Sequence, residues 1–450
     1  MSSTHNTFDL WPVPSSPPTP LAPNRLPGTS PRSTEKLREL LRINHESWHT
    51  FYDEMGRHNH ISHHLLALWS MGADAEILQK GYDLHSGLQK PKGDPKEAIT
   101  KENFVDHLVD RSYYKAYIDF FTEVVREKGG IAALEEFLFS DEMNLQTVNE
   151  DRKAPEMLNH FHSGILHPLI HVGNGVEFGL PGMIVEGLAQ TAVSKAGNKH
   201  IVPRAMFEYP SDQKAVHALN ILVRVYKDKS LSVSETLLAE VKDDTAASLL
   251  QYALDWLPDL HPSLELAQEK VKELEWACDH TFPLSFILYL QAIASLSPRS
   301  RTLLLRTQLT QCLLVWTRLG KPKLDIAGFY AADTAHPNTL NASLSPPAPS
   351  KFALPSSTSP IAMNPNMTIR TLNHYASEYG TAPAGYFGEK AKELEGANKL
   401  DGTLFVRAAG LTANRLAREV EELPPYYTFW DGKTFREGGE KDIFAIFDLN

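Results

Sequence analysis

Residues 164–193 have the sequence GILHPLIHVGNGVEFGLPGMIVEGLAQTAV. The stretch shows no alternation of apolar and polar residues, and its second half is apolar apart from Glu186 and Gln190. Such runs, interrupted by glycine and proline, favour buried helices over strands. We therefore expect helices over about 155–172 and 181–195. The glycine-rich residues 173–179 should form a tight turn between them.

The same helical character extends outward from this stretch in both directions. From Ser33 onward, apolar residues such as Leu37, Leu40 and Leu41 recur at spacings of three and four, as on one face of a helix. Further helices are expected near residue 60, after Asp401 and over about 111–127, 212–227, 231–255, 262–278, 282–296 and 300–319. Sustained strand alternation and a repeat of fixed period are both absent from the sequence. The pattern predicts a mainly α, multi-helix, bundle-like architecture with long irregular connections.

Two segments differ in composition from this helical body. Residues 1–33 are rich in Pro, Ser and Thr and are expected to form a disordered tail, although Trp11 could dock on the body. Residues 335–366 are similarly biased and predict a disordered insertion. The remainder, 34–450, is expected to form a single large helical domain.

Composition narrows the class of protein. The formal net charge of −11 disfavours binding to nucleic acid or to an anionic membrane. The two cysteines are too few for a disulfide framework in 450 residues. Neither a signal-peptide pattern nor an apolar stretch long enough to span a membrane is apparent. The sequence therefore predicts a soluble, cytoplasmic protein.

Histidines are numerous, and their spacing indicates a metal site. Of the 19 histidines, His60 and His64 lie four residues apart, with His63 nearby, and His167 and His171 are also four apart. Residues four apart share one face of a helix, and facing helices can supply imidazoles to one ion. On two antiparallel helices these pairs predict His60, His64, His167 and His171 as metal ligands. Imidazole suits iron, zinc, copper and nickel.

The histidine pairs and the polar residues near them each allow a second interpretation. The histidines could instead be hydrogen-bonded core residues that line a pocket. His58 is expected on the opposite side of its helix or in the preceding turn, and His45 and His49 flank the apolar stripe of the first helix. Glu186 and Gln190 could orient metal-bound imidazoles through the second ring nitrogen, or they could form a hydrogen-bonded pair between helices.

Standard cofactor motifs are missing from the sequence. Residues 173–179 are glycine-rich, but Phe178 occupies a fingerprint position and no strand precedes them. The sequence also lacks a phosphate-binding P-loop and a nucleophile elbow. No flavin, nicotinamide or nucleotide fold is therefore expected.

Four segments together resemble the questin oxidase-like family: residues 58–73, 164–193, 317–325 and 400–412. The resemblance implies an oxygenase-type enzyme of fungal secondary metabolism that opens an anthraquinone ring in a Baeyer–Villiger-like reaction. It further implies NADPH as a reductant and, at the histidine motifs, a non-haem iron. Two departures are visible. Gln291 stands where family members tend to carry histidine, and Asn364 and Met367 stand where a histidine and a lysine are typical.

The sequence thus predicts an oxidoreductase that acts on a small polycyclic aromatic polyketide with O₂ at a histidine-bound iron. Two alternatives stay open. One is a catalytically altered relative that binds an aromatic ligand or a partner protein. The other is a cofactor-independent oxygenase in which a histidine acts as base.

Overall fold

Helices form the regular structure of the computed structural model, which describes residues 8–15, 29–54, 56–147, 154–195, 201–208, 214–231, 243–278, 293–318, 320–321, 323–332 and 363–411. No strand occurs in these ranges, where extended pairing is confined to two isolated bridges, Trp48 with Pro91 and Phe51 with His58. The mainly α class expected from the sequence is confirmed. Among the described helices, none is long and apolar enough to cross a membrane.

The chain divides into two compact units, which are described separately. The first comprises Met1–Ala22, Thr29–Trp69 and Ala73–Gly197, and the second comprises Pro23–Gly28, Ser70–Gly72 and Asn198–Asn450. The single helical domain expected over 34–450 stays a prediction, since a division into compact units does not decide whether either unit folds alone.

Eight α-helices are described in the first unit. They are α1 (Pro31–Ser47), α2 (Ile61–Ser70), α3 (Ala75–Ser86), α4 (Tyr114–Lys128), α5 (Gly130–Leu134), α6 (Met157–Phe161), α7 (Ser163–Phe178) and α8 (Pro181–Val193). A π-helical turn, Glu135–Phe139, follows α5. Helix α8 is buried almost throughout, because α4, α6 and α7 all pack against it. The α7–α8 hairpin is therefore the centre of this unit.

Residues 173–178 of the glycine-rich stretch belong to the last turns of α7, which corrects the tight turn expected there. Only Gly179 (φ +63°) leaves the helical conformation, as is usual for the residue after a helix. A Cβ on Gly175 would lie 2.6 Å from Cγ1 of Ile184, and one on Gly187 would lie 2.9 Å from a backbone nitrogen of α7. The glycines are therefore needed for the close packing of α7 against α8.

The described helices of the second unit include α9 (Ala205–Glu208), α10 (Ala218–Lys227), α11 (Asp243–Trp256), α12 (Leu264–Cys278), α13 (Pro298–Arg318), α14 (Ile326–Ala331) and α15 (Met363–Tyr379), and a further helix spans 404–411. Helix α13 packs against α11 and α12. Its Arg306 is fully buried and donates to the carbonyls of Met206, Leu257 and Pro258. These bonds satisfy the guanidinium, as burial of a charged group requires.

Several boundaries differ from the expectation. Helix α1 begins at Pro31 because Ser30 and Ser33 form a reciprocal capping box. Helices α3 and α5 were not predicted. Within the expected tail, Trp11 is docked and only 3% exposed, as the sequence allowed. Most of the expected insertion, residues 335–362, lies outside the described residues, as do Gln291 and the side chains of Asn364 and Met367.

Candidate functional site

Two pairs of imidazoles meet between α2 and α7 in the first unit. Nε2 of His60 lies 2.5 Å from Nε2 of His167, and Nε2 of His63 lies 2.7 Å from Nδ1 of His171. The pairs follow the same direction along both helices, contrary to the antiparallel arrangement expected. Three of the four predicted ligands are therefore together, and His63 occupies the place expected for His64.

A buried amide network fixes the start of α2. The Oδ1 atom of Asn59 accepts from the backbone N–H of Ile61 at 2.9 Å, which caps the first turn. The Nδ2 of Asn59 donates to Asn44 of α1 at 2.8 Å, and Asn44 donates to Ser62 at 2.9 Å. Because all three polar side chains are buried, these bonds hold α2 against α1 and fix the backbone on either side of His60.

The start of α7 has an unusual backbone that positions His167. Gly164 and Leu166 have φ values of +54° and +67°, and a bulky residue in this region costs about 1–3 kcal/mol. Nδ1 of His167 donates to the carbonyl of Gly164. This bond places the ring hydrogen on Nδ1, so Nε2 presents its lone pair towards His60.

His58 joins this cluster from the segment that precedes α2, one of the two places that the sequence allowed. The antiparallel bridge between Phe51 and His58 orients the residue, and its ring stacks on His167 with centroids 4.1 Å apart. A Cβ on Gly164 would lie 2.8 Å from Nε2 of His58, so glycine makes room for this ring. Among the described residues, Nε2 of His58 has no hydrogen-bond partner.

His64 faces a different neighbour. Its Nδ1 lies 3.2 Å from Nε2 of His85 on α3, and both rings are buried. The ring contacts of His60, in contrast, are with His63 and His167. A ligand role for His64 stays a prediction. The structure favours His63, rather than His64, as the histidine of α2 that lies beside His60 in the cluster.

Glu186 of α8 is the carboxylate nearest to the cluster. Its Oε1 lies 2.9 Å from Nδ1 of His45, and its Oε2 lies 3.5 Å from Nε2 of His171. Burial raises the pKa of Glu186, but the contacts with His171 and His45 outweigh burial and lower this pKa to about 2. The ionised carboxylate faces Nε2 of His171, and its role in orienting a metal-bound imidazole stays a prediction. Gln190 instead donates to Thr50.

Burial favours the neutral form of His58, His60 and His63 at physiological pH. It lowers the pKa of His58 and His63 well below the usual histidine value, and neighbouring imidazoles lower both further. Neutral imidazoles are the form that binds a metal or accepts a proton. His58, His63 and His171 are buried, whereas His60 and His167 are partly exposed. The His60–His167 pair is therefore the solvent-exposed edge of the cluster.

The imidazole nitrogens are suitable metal ligands, but the two nitrogens of each pair lie too close together to bind one ion. Two imidazoles on one ion, with bonds of about 2.0–2.1 Å, hold their nitrogens roughly 3 Å apart, further than either pair here. Within the described part of the chain, no group of three or more His, Cys, Asp or Glu side chains has the spacing of a metal site. Each imidazole pair would have to open slightly to share an ion.

Other residues singled out in the sequence have structural roles. His49 accepts from the backbone N–H of Phe51 and contacts the carbonyl of Arg111. In the second unit, Asp401 caps the helix over 404–411 through Thr403, and Arg407 donates to three backbone carbonyls.

The questin oxidase-like family model matches residues 57–283, which is half of the chain. The protein belongs to this family. The matched range contains every histidine of the cluster and Glu186, whereas His45 precedes it.

Curated relatives carry names that agree with this family. The oxidoreductase AflY of Aspergillus parasiticus is 37% identical over 168 residues, which cover 36% of this chain and 32% of that protein. The Baeyer–Villiger oxidase notM of an Aspergillus species is 34% identical and covers 38% and 35%. The questin oxidase of Aspergillus terreus is 26% identical and covers 47% and 46%. The chain thus spans less than half of the length of these relatives.

Proposed function

We propose that the protein is an oxidoreductase of fungal secondary metabolism that oxygenates or oxidatively opens a polycyclic aromatic polyketide of the anthraquinone type with O₂. The observation that carries the proposal is the pair of imidazole contacts between α2 and α7. The meeting of four imidazoles and a carboxylate supports a reactive centre, because buried polar side chains usually bond to backbone or water rather than to one another.

The names of the relatives support the reaction class. Questin oxidase and the Baeyer–Villiger oxidases are named for oxidation, and their fungal sources agree with secondary metabolism. The substrate class is carried over from these names together with the resemblance of the histidine segments, and O₂ is the oxidant that the class uses.

The residues that would hold a non-haem iron are His60, His63, His167 and His171. When bound, the iron would supply the activation of O₂. The protein's own contributions follow from the geometry. The carbonyl of Gly164 holds the tautomer of His167, and the partly exposed His60–His167 edge admits the substrate.

NADPH is proposed as the reductant by the resemblance alone. The described residues contain no strand that could precede a dinucleotide-binding turn, and residues 173–178 are helical. The reductant would therefore act on the substrate or on the iron without a Rossmann-type site among the described residues.

A second candidate function dispenses with iron, and one observation favours it. Nε2 of His58 has no hydrogen-bond partner among the described residues, and its ring stacks on the partly exposed His167. Such a nitrogen can accept the proton of an acidic phenol, and the resulting carbanion can react with O₂. In this case the imidazole pairs would hold the substrate rather than a metal.

Oxygen uptake by the full chain with NADPH and a hydroxyanthraquinone tests the proposal. The wild type should consume O₂ in the presence of the substrate, and His60→Ala and His167→Ala should lose this activity. His261→Ala, an exposed histidine of the second unit, is the matched control and should retain it.

The conditions under which O₂ uptake is lost distinguish the two candidate functions. Activity that disappears with a chelator and returns with Fe(II) supports the iron centre. Activity that resists the chelator but disappears in His58→Ala supports the histidine base. A folded wild type with no uptake under either condition, yet with tight binding of the anthraquinone, would overturn both and leave a ligand-binding relative.

A further inference from the structure

The chain before the family match contributes a docked segment to the histidine unit. This segment, residues 8–15, is named the N-terminal strap here. The backbone N–H of Gly182 donates to Leu10 at 2.8 Å, and that of Ser15 donates to the carbonyl of Phe178 at 2.8 Å. The strap thus bonds to both sides of the turn between α7 and α8. In doing so it satisfies a backbone donor at the start of α8 that the helix itself leaves open.

Trp11 anchors the strap by burial. The indole is 3% exposed, and a Cβ on Gly182 would lie 2.5 Å from its ring. Only glycine at this position of α8 leaves room for the ring. Arg38 of α1 donates to the carbonyl of Trp11 at 2.7 Å and to Asp9 at 2.9 Å. The strap is therefore fixed to α1 and α8 at the same point.

The indole of Trp11 contacts the residue that supports Glu186. The ring centroids of Trp11 and His45 lie 5.4 Å apart in an edge-to-face arrangement, which favours aromatic contact. His45 bonds to Glu186 at 2.9 Å, and Glu186 lies 3.5 Å from His171. A continuous series of contacts therefore leads from the strap to the imidazole cluster.

We propose that Trp11 is a positioning residue of the histidine centre. Trp11 holds the ring of His45, His45 holds Glu186, and Glu186 orients the ring of His171. Partners of this kind fix ring orientation and tautomer of a reactive or metal-bound histidine. This inference deepens the proposed function and rests on the same site, but it concerns residues that precede the matched range 57–283.

The test compares four variants of the full chain: Trp11→Ala, Trp11→Phe, His45→Ala and the Trp11→Ala, His45→Ala double variant. The first readout is the nitrogen and proton spectrum of the His171 ring in metal-free protein labelled with ¹⁵N-histidine, assigned with His171→Gln. We expect the wild type to carry the ring hydrogen on Nε2, facing Glu186. Trp11→Ala and His45→Ala should change this spectrum alike, and Trp11→Phe should restore it.

The second readout is the affinity of the metal-free protein for Zn²⁺. Loss of an outer partner of a metal ligand typically costs about 10–100-fold in affinity, so Trp11→Ala should fall near the lower end of that range. The double variant should be no weaker than His45→Ala, because both changes act through one contact. Val13→Ala is the matched control on the strap. Val13 is 60% exposed, and its truncation should leave both readouts unchanged.

The outcomes distinguish the strap from the proposed function. A folded Trp11→Ala protein with a wild-type His171 spectrum overturns the positioning role, whatever its activity. Additive losses in the double variant also overturn it, since they show independent effects. A wild type without Zn²⁺ affinity and without O₂ uptake refutes the proposed function, while the His171 spectrum still decides the role of Trp11.

Discussion

Substitution of Gly164 by alanine tests the geometry that brings His58 and His167 together. Gly164 has φ +54°, and a Cβ there would lie 2.8 Å from Nε2 of His58 and still closer to Cε1. The new methyl group would meet a ring that is stacked on His167. The ring of His58 would have to leave the stack, or the backbone would have to move away from it.

The expected loss of stability follows from two costs. A left-handed conformation costs an L-residue about 1–2 kcal/mol, and overpacking against a buried side chain such as His58 costs about 1–3 kcal/mol. Gly164→Ala should therefore lower the free energy of unfolding by roughly 2–5 kcal/mol, a large part of the usual stability of about 5–15 kcal/mol.

Urea unfolding of the full chain measures this loss. Gly87→Ala is the matched control, because Gly87 has φ −66° and nothing lies within 4 Å of its Cβ position. The control should change the free energy of unfolding by less than about 1 kcal/mol. If Gly164→Ala unfolded within about 0.5 kcal/mol of the wild type, the left-handed backbone and the contact with His58 would both be refuted.

Three further predictions concern the same unit. His63→Ala should weaken Zn²⁺ binding to the metal-free protein far more than His64→Ala, as isothermal titration can show; equal effects would contradict the pairing described. Glu186→Gln should weaken the same binding by about 10–100-fold, and an unchanged affinity would remove its orienting role. Burial lowers the pKa of His64 to about 3 and those of His85 and His162 to about 4. Each group is neutral when folded and binds a proton near pH 6.5 when unfolded. Stability should therefore fall as the pH drops from about 6.5 towards 4, by up to about 1.4 kcal/mol per pH unit for each histidine. Urea curves that do not change over this range would contradict the burial of these rings.

Much of the fold was predictable because helix periodicity is a local signal. The α7–α8 hairpin and the helix after Asp401 follow from apolar spacing and from capping residues. Helix α3 was missed, since its apolar face is short and interrupted by charged residues such as Glu76 and Lys80. Gly175 was misinterpreted as part of a turn because its requirement for glycine comes from the close approach of Ile184 on α8, which the local sequence pattern does not show.

The candidate site was predictable in part. The spacing of His167 and His171 indicated one shared face, and the structure places both at the cluster. The sequence could not decide whether His63 or His64 joins His60 at the cluster. Residues three and four positions after His60 both lie near the same helix face as His60. The position of His58 depends on its bridge to Phe51. The position of the His45 ring depends on Glu186, which lies in a helix far along the chain. Such contacts are set by tertiary packing, which spacing alone does not encode.

Iron analysis of the full chain, purified without a histidine tag and reconstituted anaerobically with Fe(II), tests whether the imidazole pairs bind a metal. We expect near-stoichiometric iron in the wild type and its loss in His167→Ala, with His261→Ala as the control that retains it. A folded wild type that binds no iron after reconstitution, or a His167→Ala variant that binds as much as the wild type, would contradict the assignment of the metal to the imidazole pairs of α2 and α7.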